Sequence, residues 1–375
     1  MNLSTTNNYR LALLSPEEPA TLNDSLKDSF QRSADELQSL LTKRINELTE
    51  ADKRRIREIT QAKLHHFFEH GHRTRTQNTW RSLTSRWVKF ESWCLTNKFT
   101  PLPASPEVVA TFIENHQASS YTTLTQYAWA INVLHIECGL QSPINSKTVQ
   151  DKRKEIRIEK LETGGLTQEQ ATPFRLHHLE QITEVFGESE RLLDLRNLAF
   201  LNLAYESLLR ESELLRIKVG HLKSTFDGDF VLSVPYTKSN KTGEEEVVSI
   251  TPLGYRLIQR YIKSAGLTKD NYLFQPIGRK HKVSIQTKPM NTRTVDRIFL
   301  WAFNNIVNDP NDESVIPWSG HSARIGAAQD MLAAGYSTSQ IQQAGRWKSP
   351  MMVLRYGKDI LAKESAMAKM LAGRR

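Results

Sequence analysis

The chain has 375 residues, 39% hydrophobic and 24% charged, enough for two ordinary domains with buried cores. Its 50 lysines and arginines against 41 acidic residues leave a formal charge of +9, which suits a polyanionic partner. Two cysteines exclude a disulfide framework, and no apolar run approaches the ~18 residues of a membrane span, so a cytoplasmic protein is expected.

Residues 1–32 are polar, lack sustained periodicity and read as a flexible tail. From there Leu37, Leu40, Leu41, Ile45 and Leu48 recur at helical spacing. Thr49 with Asp52 has the form of a capping box opening a second, basic helix toward Phe68. Residues 1–50 hold 5 basic against 8 acidic side chains, whereas residues 51–100 hold 11 against 4, so the positive field begins near residue 53. This extension is either a helical add-on packed on the next domain or an arm for a nucleic-acid or protein partner. Trp80, Leu83, Trp87, Phe90, Trp93 and Cys94 then mark the stripe of a helix between Asn78 and Asn97, with Arg81, Arg86 and Lys89 off its centre. Ser105-Pro106-Glu107 has the chemistry of a helix start, and the inner face that follows is Val108, Val109, Phe112 and Ile113. A third helix is expected from about Thr122 to Cys138, with Gly139 as its C′ residue, and a fourth, strongly charged, from Ser146 to Lys160. Together these predict an all-helical domain over residues 33–161.

The polar, glycine-containing run 162–170 has linker composition, placing a boundary at 162–172 and a second domain over 173–375. Residues 192–209 are apolar on nearly every turn, the pattern of a buried central helix. Residues 230–236 and 247–250 read as two strands around a polar turn containing Lys241-Thr242-Gly243. The expected fold class is mainly α, with a small antiparallel β-sheet in the second domain.

Four stretches of that domain carry chemistry. Arg210 and Glu213 lie in Leu208-Leu209-Arg210-Glu211-Ser212-Glu213-Leu214, and Lys238 in Tyr236-Thr237-Lys238-Ser239-Asn240. Trp318-Ser319-Gly320-His321-Ser322-Ala323-Arg324 follows, then Gly345-Arg346-Trp347, with Tyr356 nine residues on. A chain helical from His321 puts His321 and Arg324 on one face, where an imidazole and a guanidinium can converge on a phosphate. Taken singly, each has an ordinary reading: a solvated polar face, a surface salt bridge, an exposed hairpin lysine, a half-buried tyrosine.

In this order, Arg, Lys, His-x-x-Arg, Trp and Tyr resemble the signature of the tyrosine recombinases, the phage integrase family. Gly320-His321-Ser322-Ala323-Arg324 running on to Asp330-Met331, and Gln343-Ala344-Gly345 with Trp347, carry the resemblance. It extends back through Asp194-Leu195-Arg196-Asn197 to about Asn78, leaving the first seventy-odd residues outside. It implies a helical core-binding domain and a catalytic domain that clamp double-stranded DNA at a short inverted-repeat target. Strands would be cleaved and rejoined through a 3′-phosphotyrosyl intermediate on Tyr356. By the same resemblance Arg210 and Arg324 bind the phosphate through guanidinium forks, as lysine does less well. Lys238 protonates the departing 5′ oxygen, and His321 is proton acceptor or phosphate ligand. Trp347 stands where many relatives have a second histidine, and Glu213 orients a neighbouring base or guanidinium. Arg293 matches a guanine-reading arginine, suited to the O6/N7 pair, while Arg81 and Gln126 match major-groove contacts. Arg279, Lys280, Lys282 and Lys288 would touch backbone phosphates or nothing.

A homotetramer on two sites, one dimer per site, is also implied. Residues 359–375 would bury Ile360, Leu361, Met367, Met370 and Leu371 on a neighbouring protomer, or else on their own domain. A type IB topoisomerase, or a resolvase of telomeres or replicon dimers, shares the chemistry; a DNA-binding protein without cleavage is the alternative from another class. The sequence has no Gly-x-x-x-x-Gly-Lys-Ser/Thr loop, no His-Glu-x-x-His and no cysteine pair at metal spacing, so neither a nucleotide cofactor nor a metal is expected. A nucleoid-associated protein without membrane contact is the expectation.

Overall fold

The computed structural model describes residues 24–43, 47–166, 170–235, 245–278, 281–307, 316–363, 367 and 370–371. The chain forms two compact units, the first ending at Gln168 and the second beginning at Glu169. It is mainly α with a three-stranded antiparallel sheet, the expected fold class. Among the described residues, no helix is long and apolar enough to cross a membrane.

In the amino-terminal unit α1 (Asp24–Thr42) begins inside the stretch that reads as a tail. Its anchor is Leu37, fully buried, whereas Leu41 stays exposed and Ile45 lies outside the described residues. Helix α2 (Glu50–His70) opens on the expected box, Thr49 accepting from the Asp52 N–H and the Asp52 carboxylate accepting from the Thr49 N–H. Helices α3 (Gln77–Thr96), α4 (Pro106–Asn115), α5 (Tyr121–Glu137) and α6 (Lys147–Glu162) follow, capped at their N-termini by Thr76, Ser105, Ser120 and Ser146. Each hydroxyl accepts an N–H that the first turn leaves unpaired, a contribution of about 1 kcal/mol apiece. Trp87, Phe90, Phe112, Ile113 and Leu134 fill the centre of this bundle. Cys94 and Cys138 are buried, and burial pushes both thiols up to about 12, so they act as apolar fillers. His135 is also a core residue: Nε2 accepts from the Ala104 N–H, and burial holds its imidazole down to about 4.

The carboxy-terminal unit is built on α8 (Leu192–Ser207), buried on nearly every turn as its sequence requires. Packed on it are α7 (Leu176–Phe186), α10 (Pro252–Ala265), α11 (Thr292–Ile306) and α12 (Ser322–Ala333). The short α9 (Glu211–Leu214) lies between α8 and the sheet in sequence. The sheet is a meander, β1 (Leu222–Ser224), β2 (Phe230–Val234) and β3 (Glu246–Ile250), with Leu222 opposite Leu232 and Leu232 opposite Val248. β1 escapes the sequence reading because three residues show no alternation, and β2 stops at Val234, ahead of Pro235. The turn at Lys241-Thr242-Gly243 lies outside the described residues.

Two apolar clusters hold this unit. The larger joins α7, α8, α10 and α11 with Trp318 and Ala323. The smaller comprises Leu208, Ala327, Ala328, Leu332, Ile341, Trp347 and Val353, drawing on α12, α13 (Thr338–Ala344) and α14 (Met351–Tyr356). Tyr356, and Ile360 and Leu361 of α15 (Lys358–Lys363), pack against it. Asp330 on α12 accepts from the Arg175 guanidinium at 2.5 Å, the Leu176 N–H at 2.8 Å and the Tyr205 hydroxyl at 2.6 Å, tying α7 and α8 to the helix that follows His321.

Candidate active site

Arg324 is the centre of the site. It is 5% exposed on α12, donates to the Leu208 and Gly345 carbonyls, and lies over the Trp347 ring at 4.7 Å. Leu208 and Arg346 both adopt left-handed backbone, φ 49° and 52°, and so direct the chain at the two segments that supply those carbonyls. Neither is glycine, so each conformation costs about 1–2 kcal/mol, strain held where the guanidinium is held. Burial, then Arg210, holds the Arg324 guanidinium down to about 10, still cationic at neutral pH.

Arg210 is the N-cap residue of α9. Glu213, whose side chain is 1% exposed, accepts from the Arg210 backbone N–H and from its guanidinium, both at 2.9 Å. One buried carboxylate thereby fixes both the backbone and the side chain of Arg210, leaving part of the guanidinium open to solvent. His321 occupies the N-cap position of α12, one residue before the helix proper, with αR backbone. Its imidazole keeps an exposed edge, yet the surrounding protein, then Arg324 and Arg210, hold it below its usual range. That favours the neutral form, the one able to accept a proton.

Trp347 packs edge-on to Tyr356, centroids 5.7 Å apart at 70°. Tyr356 ends α14, and its carbonyl accepts from the Gln329 amide at 2.9 Å. His321 and Tyr356 line one cavity of about 390 Å³, together with Ser319, Met352, Arg355 and Gln170. Two close approaches require glycine. A Cβ on Gly326 would lie 1.8 Å from the Phe174 carbonyl oxygen, and one on Gly345 2.3 Å from the Trp347 ring. The structure thus brings Arg210, Glu213, His321, Arg324, Trp347 and Tyr356 into one site, and Lys238 lies outside the described residues.

Sequence reasoning missed three polar partners. Arg346 donates to the Ser207 carbonyl at 2.6 Å and pairs with Glu246 at 3.3 Å; its only sequence signal is adjacency to Trp347. Glu211, next to Arg210, has one buried oxygen without a hydrogen bond and approaches the position of a Gly320 Cβ to 2.7 Å. Burial, with Asp296 adding to it, pushes its carboxyl up to about 7. With the folded pKa above the unfolded one, stability is full below pH ~4.5 and is lost as pH rises through about 7. Glu211→Gln should therefore melt higher than the parent at pH 8 and at the same temperature at pH 4, as read by thermal scans at both.

The predicted base-reading residues divide. Arg293 is exposed at the start of α11, and Arg81 is exposed on α3. Gln126 is already engaged: its carbonyl oxygen accepts from Arg86 at 2.9 and 3.1 Å, and Arg86 lies over the Tyr127 ring. Lys282 and Lys288 are exposed, while Arg279 and Lys280 lie outside the described residues.

The model of the phage integrase family matches residues 174–360. Recombinase Cre of Escherichia phage P1 is 33% identical over 307 residues, spanning 79% of this chain and 88% of that protein. The chain belongs to the phage integrase family. Another relative in that family, an integrase/recombinase XerD homologue of Selenomonas ruminantium, is 26% identical over 295 residues, 76% of this chain and 82% of the relative. The Tn1549 transposon integrase in complex with transposon right-end DNA aligns with a TM-score of 0.55 at 14% identity, covering 80% of this chain and 94% of its own. A λ integrase dimer bound to a COC′ core site aligns at 0.52 and 14%, covering 88% and 85%. At that identity the two structures show the integrase fold.

Proposed function

We propose that this chain breaks and rejoins duplex DNA through Tyr356. As a member of the phage integrase family it is a site-specific tyrosine recombinase. The observation that carries the residue assignment is the run of contacts from Arg324 over the Trp347 ring to Tyr356 packed edge-on against that ring, beside a cavity shared by Tyr356 and His321. Arg324 and Arg210 neutralise the nonbridging oxygens of the scissile phosphate, and the phenol oxygen of Tyr356 attacks phosphorus. The P–O5′ bond breaks, the phosphate stays on the 3′ strand as a phosphotyrosine, and the phenolic proton passes to His321. A proton must reach the departing 5′ oxygen, and Lys238 is the proposed donor. Because the phosphotyrosine keeps the energy of the broken bond, a 5′ hydroxyl from another duplex reverses the attack without external fuel. The test is a nicked suicide substrate: a 3′-phosphotyrosyl peptide containing Tyr356 supports the assignment, and an adduct on another residue overturns it. Exchange between two target sites separates recombination from relaxation by a topoisomerase.

For sequence reading we assign Arg293 to a guanine. Arg293→Ala should lose roughly 1–3 kcal/mol on the correct target and relax preference at one base pair. Equal losses on specific and random DNA would instead mark a phosphate contact.

The target is an inverted repeat bound by a dimer, two targets making a tetramer. Support comes from the tail: Ile360 and Leu361 pack on their own unit, but Met367, Met370 and Leu371 are 61, 52 and 51% exposed. Such apolar side chains fit a neighbouring protomer in a ring of head-to-tail contacts. Truncation after Lys363 keeps Ile360 and Leu361 in place. It should leave half-site binding intact while removing cooperative filling of the full site, compared by band-shift titration of the two; unchanged cooperativity would exclude the tail as the link.

A further inference from the structure

The end of α2 and the turn that follows it concentrate imidazoles: of the chain's 11 histidines, His65, His66, His70 and His72 fall within eight residues. His66 and His70 are one helical turn apart, a spacing that sets two side chains over each other on one face. Their ring centroids are 4.4 Å apart. Glu69, on the same turn, brings a carboxylate oxygen to 3.8 Å from His70 Nε2. One ligand atom from each of His66, Glu69 and His70 can be chosen so that all lie within 4.8 Å of one another. Phe67 and Phe68, buried between them in sequence, anchor the turn to the bundle, and the Gly71 N–H closes it on the Phe67 carbonyl.

Two further observations point to a ligand here. His70 Nδ1 is buried with no hydrogen-bond partner, a state that costs free energy unless something else satisfies it. His66 and His70 also line a cavity of about 330 Å³, together with Lys63, Arg75 and Glu137, the last two paired with each other.

We propose that His66, Glu69 and His70 bind a divalent transition-metal ion, zinc by ligand chemistry, which clamps the end of α2. Two imidazoles and a carboxylate are a borderline donor set that suits zinc, with a tetrahedral fourth position left to water. Ligands at ~2.1 Å from zinc sit ~3.4 Å apart, so from within 4.8 Å of one another the three side chains close by up to about 1.4 Å through their own rotamers. This departs from the expectation of no metal, which rests on a search for His-Glu-x-x-His and paired cysteines. The order here is His66-Phe67-Phe68-Glu69-His70. The clamp is placed just before Thr76, the cap of the helix that carries Arg81.

The experiment is calorimetric titration of zinc chloride into the full chain, free of any affinity tag and pre-treated with chelator, with melting followed in parallel. One zinc per chain, with a dissociation constant on the order of micromolar and a higher melting temperature, is expected. His66→Gln and His70→Gln should each weaken binding at least tenfold and cancel the rise in melting temperature, circular dichroism confirming that both fold. The variant His72→Gln, on the turn that follows α2, should bind within two-fold of the parent. No binding by the parent overturns the proposal. So does zinc retained in the His66 and His70 variants, which would place the ion elsewhere, or equal loss in the control, which would mean diffuse surface coordination.

Discussion

The Tyr356→Phe protein is expected to bind its target within a few-fold of the parent and to form no covalent adduct. The substitution removes one oxygen and keeps the ring that packs against Trp347 at 5.7 Å and on the smaller apolar cluster. The Gln329 amide bonds to the backbone carbonyl of Tyr356, not to its hydroxyl, so the end of α14 stays where it is. Removing a nucleophile while leaving the charge-stabilising groups costs on the order of 10⁴-fold or more in rate. Gel analysis of cleavage on a suicide substrate, beside band-shift affinity on the intact target, separates the two effects. Strand cleavage near the parent rate would remove Tyr356 from the nucleophile's place.

Arg324→Lys should be less severe for chemistry but, unlike Tyr356→Phe, it should also destabilise the fold. The guanidinium satisfies the Leu208 and Gly345 carbonyls at once while its carbon lies over the Trp347 ring at 4.7 Å. An ammonium keeps the charge but has no planar face and cannot reproduce the fork. Leaving one buried carbonyl unpaired costs about 1–3 kcal/mol of stability. Losing a preorganised donor to the developing phosphorane charge costs a further 10²–10³-fold in single-turnover cleavage, about 3–4 kcal/mol. Urea unfolding and single-turnover rates on the same preparation read both. A lysine variant that is less stable but cleaves normally would make Arg324 a packing residue only.

How much of this could be read in advance depends on whether the determining interaction is local. The starts at Thr49, Ser105 and Ser146 are legible because cap and recipient lie within three residues of each other. The order of Arg210, His321, Arg324, Trp347 and Tyr356 is legible because each sits in a short run of distinctive residue types. What escapes is set by distant packing. Leu208 and Arg346 give no hint of left-handed backbone, since neither is glycine or asparagine. The pairing of Arg346 with Glu246 spans a hundred residues of chain. Gln126 looks like a free reader of bases until α3 and α5 come together and Arg86 takes its carbonyl. Helix α1 begins at Asp24 although its first half has no sustained apolar repeat to announce it.

If Arg293 reads bases and Tyr356 is the nucleophile, as proposed, the division of the carboxy-terminal unit into two apolar clusters makes target choice and bond chemistry separately adjustable. Val295, Ile298, Phe299 and Ala302 root α11 in the larger cluster, whereas Trp347 and Tyr356 rest on the smaller. The outward positions of α11, among them Arg293, Arg297 and Leu300, can therefore be varied without repacking the nucleophile's support. A retargeting library drawn from those positions is expected to return variants with new preferences and undiminished turnover. Asp296 does not belong in such a library. Its charge reaches Glu211, which abuts Gly320 beside His321, so a change there alters the proton balance at the edge of the reaction centre.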